Sequence, residues 1–514
     1  MNKNILLLAS GGMVLTFNGF AAKTADKSVK PVKPNILWVM SEDQSQDLGC
    51  YGMKGVKTPV LDRMASEGIR YDNAFCTNPI SSPSRSAMMT GVHQEIIGAH
   101  NHRSNRDVPL PAGIRPITYY LRQQGYTCIL GNSQVMARGR KTDCNFKYTP
   151  IGAWNDKDQL GLFDKYDEFT PQDQPFFAQI QLLVTHRGDW WKKVRAESPH
   201  PVDPDSVQLP PYMPDHPKVR EEWACYLDMT ERMDYEMGLI LQQLKEKGMY
   251  DNTVIFFIAD NGRCDVKGKG YLYEPGILIP MIAWGPGIRP AVVKEIVSTL
   301  DISATIIALS GSPLPDCLSG KPLFDADMKP VKEHADYFYA ARDNWDEVVE
   351  CIRAVATLQF KYIRNYVPQV GWDRHQEYLD FHRPAIHIMR KLKDEGKLCW
   401  QGMLFMADTK PVEELYDRIN DPFELKNLAT DPAYQSVLQQ MRDKMAEWQK
   451  QHTDMGLADK DSRKTYFRTS VRDWVIEKHP QEWIQLMNGE ICDSYGKWVK
   501  EVEQAYGSRT GDGL

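Results

Sequence analysis

Short, almost wholly apolar runs alternate along the chain with longer stretches in which apolar residues recur every three or four positions. The runs are Asn35–Met40 (NILWVM), Thr127–Leu130 (TCIL), Phe176–Val184 (FFAQIQLLV) and Thr253–Ala259 (TVIFFIA). Such runs predict strands covered on both faces, and their alternation with amphipathic helices predicts a largely parallel, doubly wound α/β sheet. Helix ends are marked as well. Thr58-Pro59 opens a helix carrying Leu61, Met64 and Ala65, and Gly68 closes it. The longest predicted helix runs from about Val219 to Lys247, with Tyr226, Met229, Met233, Met237, Ile240, Leu241 and Leu244 on one stripe and Gly248 beyond its end. Residues 198–217 carry too many prolines for regular structure and predict a surface loop near a pocket. After about residue 335 the texture changes: 351–367 predicts paired antiparallel strands, and 434–452 and 471–504 predict Trp-bearing helices. There is no internal repeat.

The two ends of this pattern set the organisation. Residues 1–22 place Lys3 before an apolar stretch, Ile5 to Phe17, and end in small residues suited to cleavage near Ala21 or Ala22, which predicts an export signal and a periplasmic or secreted protein. That stretch is too short and too interrupted for a membrane span, no later segment has the required apolar length, and no Cys lies near the cleavage point to take a lipid. Residues 23–34 are Lys- and Pro-rich and predict a tether. The expected units are a catalytic α/β domain at 35–335 and a smaller α+β unit at 336–514 with a small antiparallel sheet and helices. For 514 residues that division is of ordinary size.

Charge and cysteine usage remove whole classes of function. The formal net charge of −6 gives no global basic field for nucleic acid, so a polyanionic ligand must meet a local basic pocket. The 10 Cys show no CxxC spacing, which argues against zinc; their expected role is as small buried apolar residues, with disulfides undecided.

Ligands of open α/β sheets bind beyond the carboxyl ends of the strands. Those ends are polar here. Ser41-Glu42-Asp43-Gln44 follows the first run, Thr185-His186-Arg187 the third, and Asp260-Asn261-Gly262 the fourth. Glu42, Asp43, Asp260 and Asn261 are hard oxygen donors suited to one Ca²⁺ or Mg²⁺. Each pair alone reads equally well as a turn or a helix cap.

Residues 81–91 read SSPSRSAMMTG. Locally this is a helix start, with Ser82 as N-cap, Pro83 at the first helical position and Gly91 at the far end. The full pattern resembles the sulfatase signature, in which Cys or Ser is followed by any residue, Pro, any residue, Arg, four residues and Thr-Gly. FCTNPI ahead of it, LWVMSEDQ and DLGCYG upstream and ADNG downstream extend the resemblance over nearly the whole chain. It implies an alkaline-phosphatase-like fold, a large mostly parallel mixed sheet sandwiched by helices with a smaller C-terminal subdomain, and hydrolysis of a sulfated saccharide. It further implies that an anaerobic-type maturation enzyme converts Ser81 to formylglycine, whose hydrate attacks sulfur through one hydroxyl and expels sulfate through the other. In that scheme Ser81 joins Glu42, Asp43, Asp260 and Asn261 at the cation, Arg85 steadies the hydrate, Lys269 of KGKGYLYEPG grips sulfate, and His186 serves the leaving group as an acid or bonds the ester oxygen.

One element departs from the pattern. Where many sulfatases carry Gly-Lys-x-His, this chain reads Gly131-Asn132-Ser133-Gln134, followed by KTDCNF at 141–146. Lys141 aligns with the family lysine and Asp143 with the histidine, as in a branch resembling N-sulfoglucosamine sulfohydrolases; whether Asp143 or Gln134 replaces the histidine stays open, as does the base. Arg138, Arg140 and Lys141 read equally as a solvated basic loop. His100, His102, Arg103 and Arg106 follow the signature and could meet a carboxylate or a second sulfate, or simply form a polar turn. Glu413, Asp417 and Asp421 read as turn and cap residues. Two rivals remain at this level: a two-zinc phosphatase or phosphodiesterase of the same superfamily, and a glycan-binding pseudo-sulfatase that never receives the aldehyde. O- against N-sulfate, ring position, exo or endo action and oligomeric state are not encoded legibly.

Overall fold

The computed structural model describes residues 33–131, 140–155, 157, 160–325, 327–458 and 470–507. The export signal and nearly all of the tether lie outside them, as do Gln134 and Arg138. All the elements named below belong to the unit Pro34–Leu514.

Eleven strands follow in chain order: β1 Asn35–Ser41, β2 Ile69–Phe75, β3 Thr127–Leu130, β4 Phe176–Leu182, β5 Thr253–Ala259, β6 Met281–Trp284, β7 Ala291–Ser298, β8 Phe338–Arg342, β9 Ile352–Ala356, β10 Phe360–Asn365 and β11 Glu413–Asp417. The first seven form one sheet in the order β3-β4-β1-β5-β6-β2-β7, mostly parallel, with β6 antiparallel to both neighbours. The last four form a separate antiparallel sheet, β11-β10-β9-β8. This is the alkaline-phosphatase-like layout that the resemblance implies.

The four apolar runs become β1, β3, β4 and β5, which lie side by side; β4, β1 and β5 are central, and β3, at the edge, is short and still buries Cys128, Ile129 and Leu130. Every residue of β1 and β5 is buried, and Ile36, Leu37, Trp38 and Val39 are wholly withdrawn from water. Each such side chain contributes about 1.5–3 kcal/mol relative to exposure. The long helix spans Pro217–Glu246, and the predicted Met and aromatic stripe is its buried face. All ten cysteines are unpaired, seven of them buried, which settles the disulfide question in favour of packing.

Two helix starts differ from the sequence reading. Thr58 precedes the helix Pro59–Glu67, but its hydroxyl makes no capping bond there; it accepts from the Gly49 N–H at 2.9 Å and donates to Asp62 Oδ1 at 2.9 Å. The signature helix spans Ser81–Thr90, so Ile80 rather than Ser82 precedes it, and Pro83 stands third. The first helical residues need no N–H partner inside the helix, so proline fits at the third position as well as the first. The Ser84 N–H then takes the first carbonyl, that of Ile80, at 3.2 Å.

The second sheet docks against the approach to this helix. The Ala341 N–H of β8 donates to Thr77 O at 3.0 Å, and Asn78 Nδ2 donates to Ala341 O at 2.7 Å. Lys361 of β10, fully buried, pairs with Glu274 at 2.6 Å and Glu424 at 2.8 Å.

Candidate active site

Parallel pairing of β1 with β4 and β5 brings three carboxyl ends to one rim. Glu42 and Asp43 leave β1, Asp260 and Asn261 leave β5, and Thr185-His186-Arg187 follow β4. The loop after β2 brings Ser81 to the same place at the first residue of its helix. Glu42, Asp43, Asp260 and Asn261 are wholly buried, and Ser81 is nearly so.

The contacts between them are direct. The Ser81 hydroxyl donates to Asn261 Oδ1 at 3.1 Å, while Asn261 Nδ2 donates to Asp43 Oδ1 at 3.0 Å. Arg85, one turn beyond Ser81, donates to Asp260 Oδ2 at 3.0 Å, to Gln181 Oε1 at 3.0 Å and to Glu42 Oε1. Lys141 Nζ lies 2.6 Å from the other Glu42 oxygen, and Lys269 Nζ lies 2.8 and 2.9 Å from the two oxygens of Asp43. Burial would drive the Lys269 ammonium toward neutrality, but Asp43 outweighs it and holds the group above its ordinary value. Arg85 is raised in the same way against burial, by Glu42 and Asp260.

His186 stands at the edge, a quarter exposed, with Nδ1 3.1 Å from the Arg187 carbonyl and Nε2 3.9 Å from Asp43 Oδ2. Burial first, then Lys269 and Lys141, push its titration well below the usual histidine value, so the ring is neutral near pH 7. A carbonyl at Nδ1 fixes the proton there and turns the Nε2 lone pair toward a carboxylate. Two acceptors facing each other across 3.9 Å are compatible with a cation or a proton between them. Oxygens of Glu42 and Asp43 and a ring nitrogen of His186 all lie within 4.8 Å of one another. The donor set of Glu42, Asp43, Asp260 and the Asn261 amide oxygen has the hard-oxygen chemistry that Ca²⁺ or Mg²⁺ takes.

Asp143 is held by cations from three residues. Arg103 grips it with two parallel bonds of 3.0 Å, Arg106 donates to it, and Lys141 lies 3.6 Å away. Burial opposes its charge, yet Arg103, Lys141 and Arg106 hold the carboxyl well below the usual range. A carboxylate so stabilised is a poor proton acceptor. It is the hub that aims three cations. Five cations (Arg85, Arg103, Arg106, Lys141, Lys269) against four carboxylates (Glu42, Asp43, Asp143, Asp260) leave the locus formally +1 before any metal. That is the local basic pocket a polyanion needs in an acidic chain.

Of the histidines after the signature, His102 is bonded through Nδ1 to Asp346 at 2.7 Å and lies edge-on to Trp345. His100 is buried nearby in the same turn. Several neighbours escaped the sequence reading. Gln181 stands inside the apolar run of β4, and a buried amide there was the one local signal. Tyr378 places its ring 5.1 Å from Lys269 Nζ and 5.5 Å from the His186 ring, the His382 ring lies tilted against Tyr378 at 4.6 Å, and Arg383 donates to Lys269 O at 2.6 Å. These come from beyond residue 336, where nothing local announces them. Glu413 pairs with Arg442, while Asp417 and Asp421 accept turn N–H groups, as expected of structural carboxylates.

A model of the family described as Sulfatase matches residues 34–312. An ulvan-active sulfatase of Formosa agariphila is 32% identical over 464 residues, covering 81% of this chain and 75% of its own. N-sulphoglucosamine sulphohydrolase of Homo sapiens is 27% identical over 456 residues, covering 81% and 89%. A solved 2-O GAG sulfatase matches the fold with a TM-score of 0.58 at 20% identity, over 84% of this chain and 94% of that one.

Proposed function

Because the chain belongs to the sulfatase family, we propose that it is an exported enzyme that removes sulfate from a sulfated saccharide, with residues 35–335 carrying the chemistry and 336–514 completing the sugar side. What supports the substrate class is the naming of its relatives for ulvan and for N-sulphoglucosamine. What carries the reading is the meeting of Ser81 with Asn261, Asp43, Lys269, Arg85 and Lys141 in one buried cluster.

In this proposal Ser81 is converted to formylglycine, which when hydrated supplies a geminal-diol nucleophile, and Glu42, Asp43, Asp260 and Asn261 hold a Ca²⁺ or Mg²⁺ ion that supplies Lewis acidity. The other residues act without moving. Lys269 and Lys141 present ammonium groups to the sulfate oxygens, whose charge persists through transfer, and such preorganised cations lower the barrier. Arg85, bonded to Glu42 and Asp260, fixes the start of the signature helix relative to the cation ligands. His186 reaches the departing oxygen or nitrogen with Nε2; because the resting ring carries its proton at Nδ1, on the Arg187 carbonyl, Nε2 first takes a proton from solvent and then passes that proton to the leaving group. Asp143 keeps Arg103, Arg106 and Lys141 in place.

The experiment is sulfate release from N-sulfoglucosamine, N-acetylgalactosamine 6-sulfate and ulvan oligosaccharides by protein from the natural host, with mass spectrometry of the tryptic peptide Tyr71–Arg85. The expected result is release together with loss of H₂ from that peptide. Unmodified Ser81 in host material, or phosphate-ester turnover with bound zinc and no sulfate release, would overturn the proposal.

A further inference from the structure

From sequence, His102 reads either as a partner for a carboxylate or second sulfate or as part of a polar turn. Its surroundings give it the opposite hydrogen-bonding sense. Nδ1 lies 2.7 Å from Asp346 Oδ1, and the other Asp346 oxygen accepts from Gln376 Nε2 at 2.9 Å. The backbone N–H of His102 donates to Asn344 O at 2.9 Å, so main chain and ring are fixed by the same Asn344–Asp346 turn. Burial first, then Arg103, outweigh Asp346 and bring the ring down to about 4, which makes it neutral near pH 7. A neutral ring facing a carboxylate carries its proton at Nδ1. Nε2 is then an acceptor, and among the described residues it takes no protein partner. A sulfate or carboxylate oxygen has no proton to give it. A sugar hydroxyl or an N–H does.

The turn is tied into the reaction centre from two sides. Trp345 packs with Ile80, the residue before Ser81, and a Cβ at Gly270 would lie 2.5 Å from the Trp345 ring, so this indole rests on the backbone next to Lys269. On the other side, Arg103 follows His102 and is committed bidentately to Asp143, which also neighbours Lys141. Asp346 and Arg103 both adopt left-handed backbone, φ +48° and +52°, uncommon for residues with a Cβ. Both conformations belong to the turns that join His102 to its partner.

We propose that His102, oriented by Asp346 as a positioning residue, accepts a hydrogen bond from a hydroxyl or N–H of the sugar that bears the scissile sulfate, and so selects for a donor at one ring position. This rests on the sulfatase reading above.

The test compares kcat/KM for the best-cleaved of N-sulfoglucosamine and N-acetylgalactosamine 6-sulfate with that for its monodeoxy analogues, using mature protein. In the unsubstituted enzyme one deoxy position is expected to lose roughly 10- to 100-fold, the range that follows from leaving one buried polar group unpaired. His102→Ala should flatten that difference to within about threefold, and His102→Gln, which restores a carbonyl acceptor, should recover part of it. Asp346→Asn should raise KM more than it lowers kcat, and ¹⁵N NMR should show its His102 ring no longer held as the Nδ1–H tautomer. Thermal melts identify any variant that fails to fold, and the ring tautomer of the unsubstituted enzyme then carries the test. An unchanged deoxy ratio in a folded His102→Ala protein, or an Nε2–H tautomer in the unsubstituted enzyme, overturns this inference alone. Failure to release sulfate from any saccharide or from 4-nitrophenyl sulfate overturns the functional reading and this inference together.

Discussion

Replacing Asp143 with Asn separates two roles for this residue, a base and a holder of cations. The substitution keeps shape and one acceptor oxygen but removes the charge shared by Arg103, Arg106 and Lys141. Breaking a buried ion pair costs about 3–5 kcal/mol. Here the side chains of Arg103 and Arg106 are 17% and 25% exposed and stay partly hydrated, and Lys141 keeps Glu42, so the expected loss is nearer ~2–3 kcal/mol. For a body of roughly 480 residues melting as one unit, with an unfolding entropy of about 1 kcal/mol/K, that is a drop of about 2–3 °C. The sign of the pH dependence follows from the carboxyl lying below its ordinary 3.8 in the folded state. Its contribution is whole above that value and is lost as pH falls through the folded-state titration. The gap between the two proteins, read from urea midpoints by tryptophan fluorescence, should therefore be constant from pH 7.5 to 5 and narrow below about pH 4. Turnover should fall no more than about tenfold, about 1.4 kcal/mol of barrier, through misaimed cations. A rapid burst of desulfated sugar followed by stalled sulfate release, with stability unchanged, would make Asp143 the base and refute the reasoning.

Three further outcomes follow from the geometry. Ser81→Ala should abolish sulfate release while costing only about 1 kcal/mol of stability, one hydrogen bond to Asn261; full activity in that variant would remove the nucleophile assignment. Gly270→Ala should destabilise more than Gly311→Ala: both take left-handed backbone, at about 1–3 kcal/mol of strain, but only the first drives a Cβ into Trp345, and parallel melting curves of the two variants decide it. Chelation should depress turnover, with recovery on adding Ca²⁺ or Mg²⁺ and a stability gain of about 2.7 kcal/mol at a hundredfold excess over Kd; recovery with zinc alone would contradict the hard-oxygen site.

The sheet was legible where burial is two-sided. β1, β3, β4 and β5 announce themselves because a strand between helical layers is apolar at nearly every position, and the chemistry of β1, β4 and β5 then sits just past each run. β2 escaped the sequence reading because its run, Ile69–Phe75 (IRYDNAF), mixes buried Ile69, Tyr71, Ala74 and Phe75 with Arg70, Asp72 and Asn73 that meet polar partners. The second layer of the site was less visible still. Asp346 lies in the loop after β8, and Tyr378 and His382 on the helix Glu377–His382 between β10 and β11, and no periodicity within their own segments encodes where they meet the rim. Asp143 shows the limit most directly: its alignment raised the possibility of a base, and only the two arginines folding back from 103 and 106 give it another role.

Tyr378 and Arg383 hold Lys269 from a part of the chain that lies beyond the match to the family model. The ammonium at the centre of the cluster is thus held by groups that arrive more than a hundred positions later in the chain. A chain cut short before residue 378 therefore loses the groups that fix that lysine, whatever it keeps of the seven-stranded sheet.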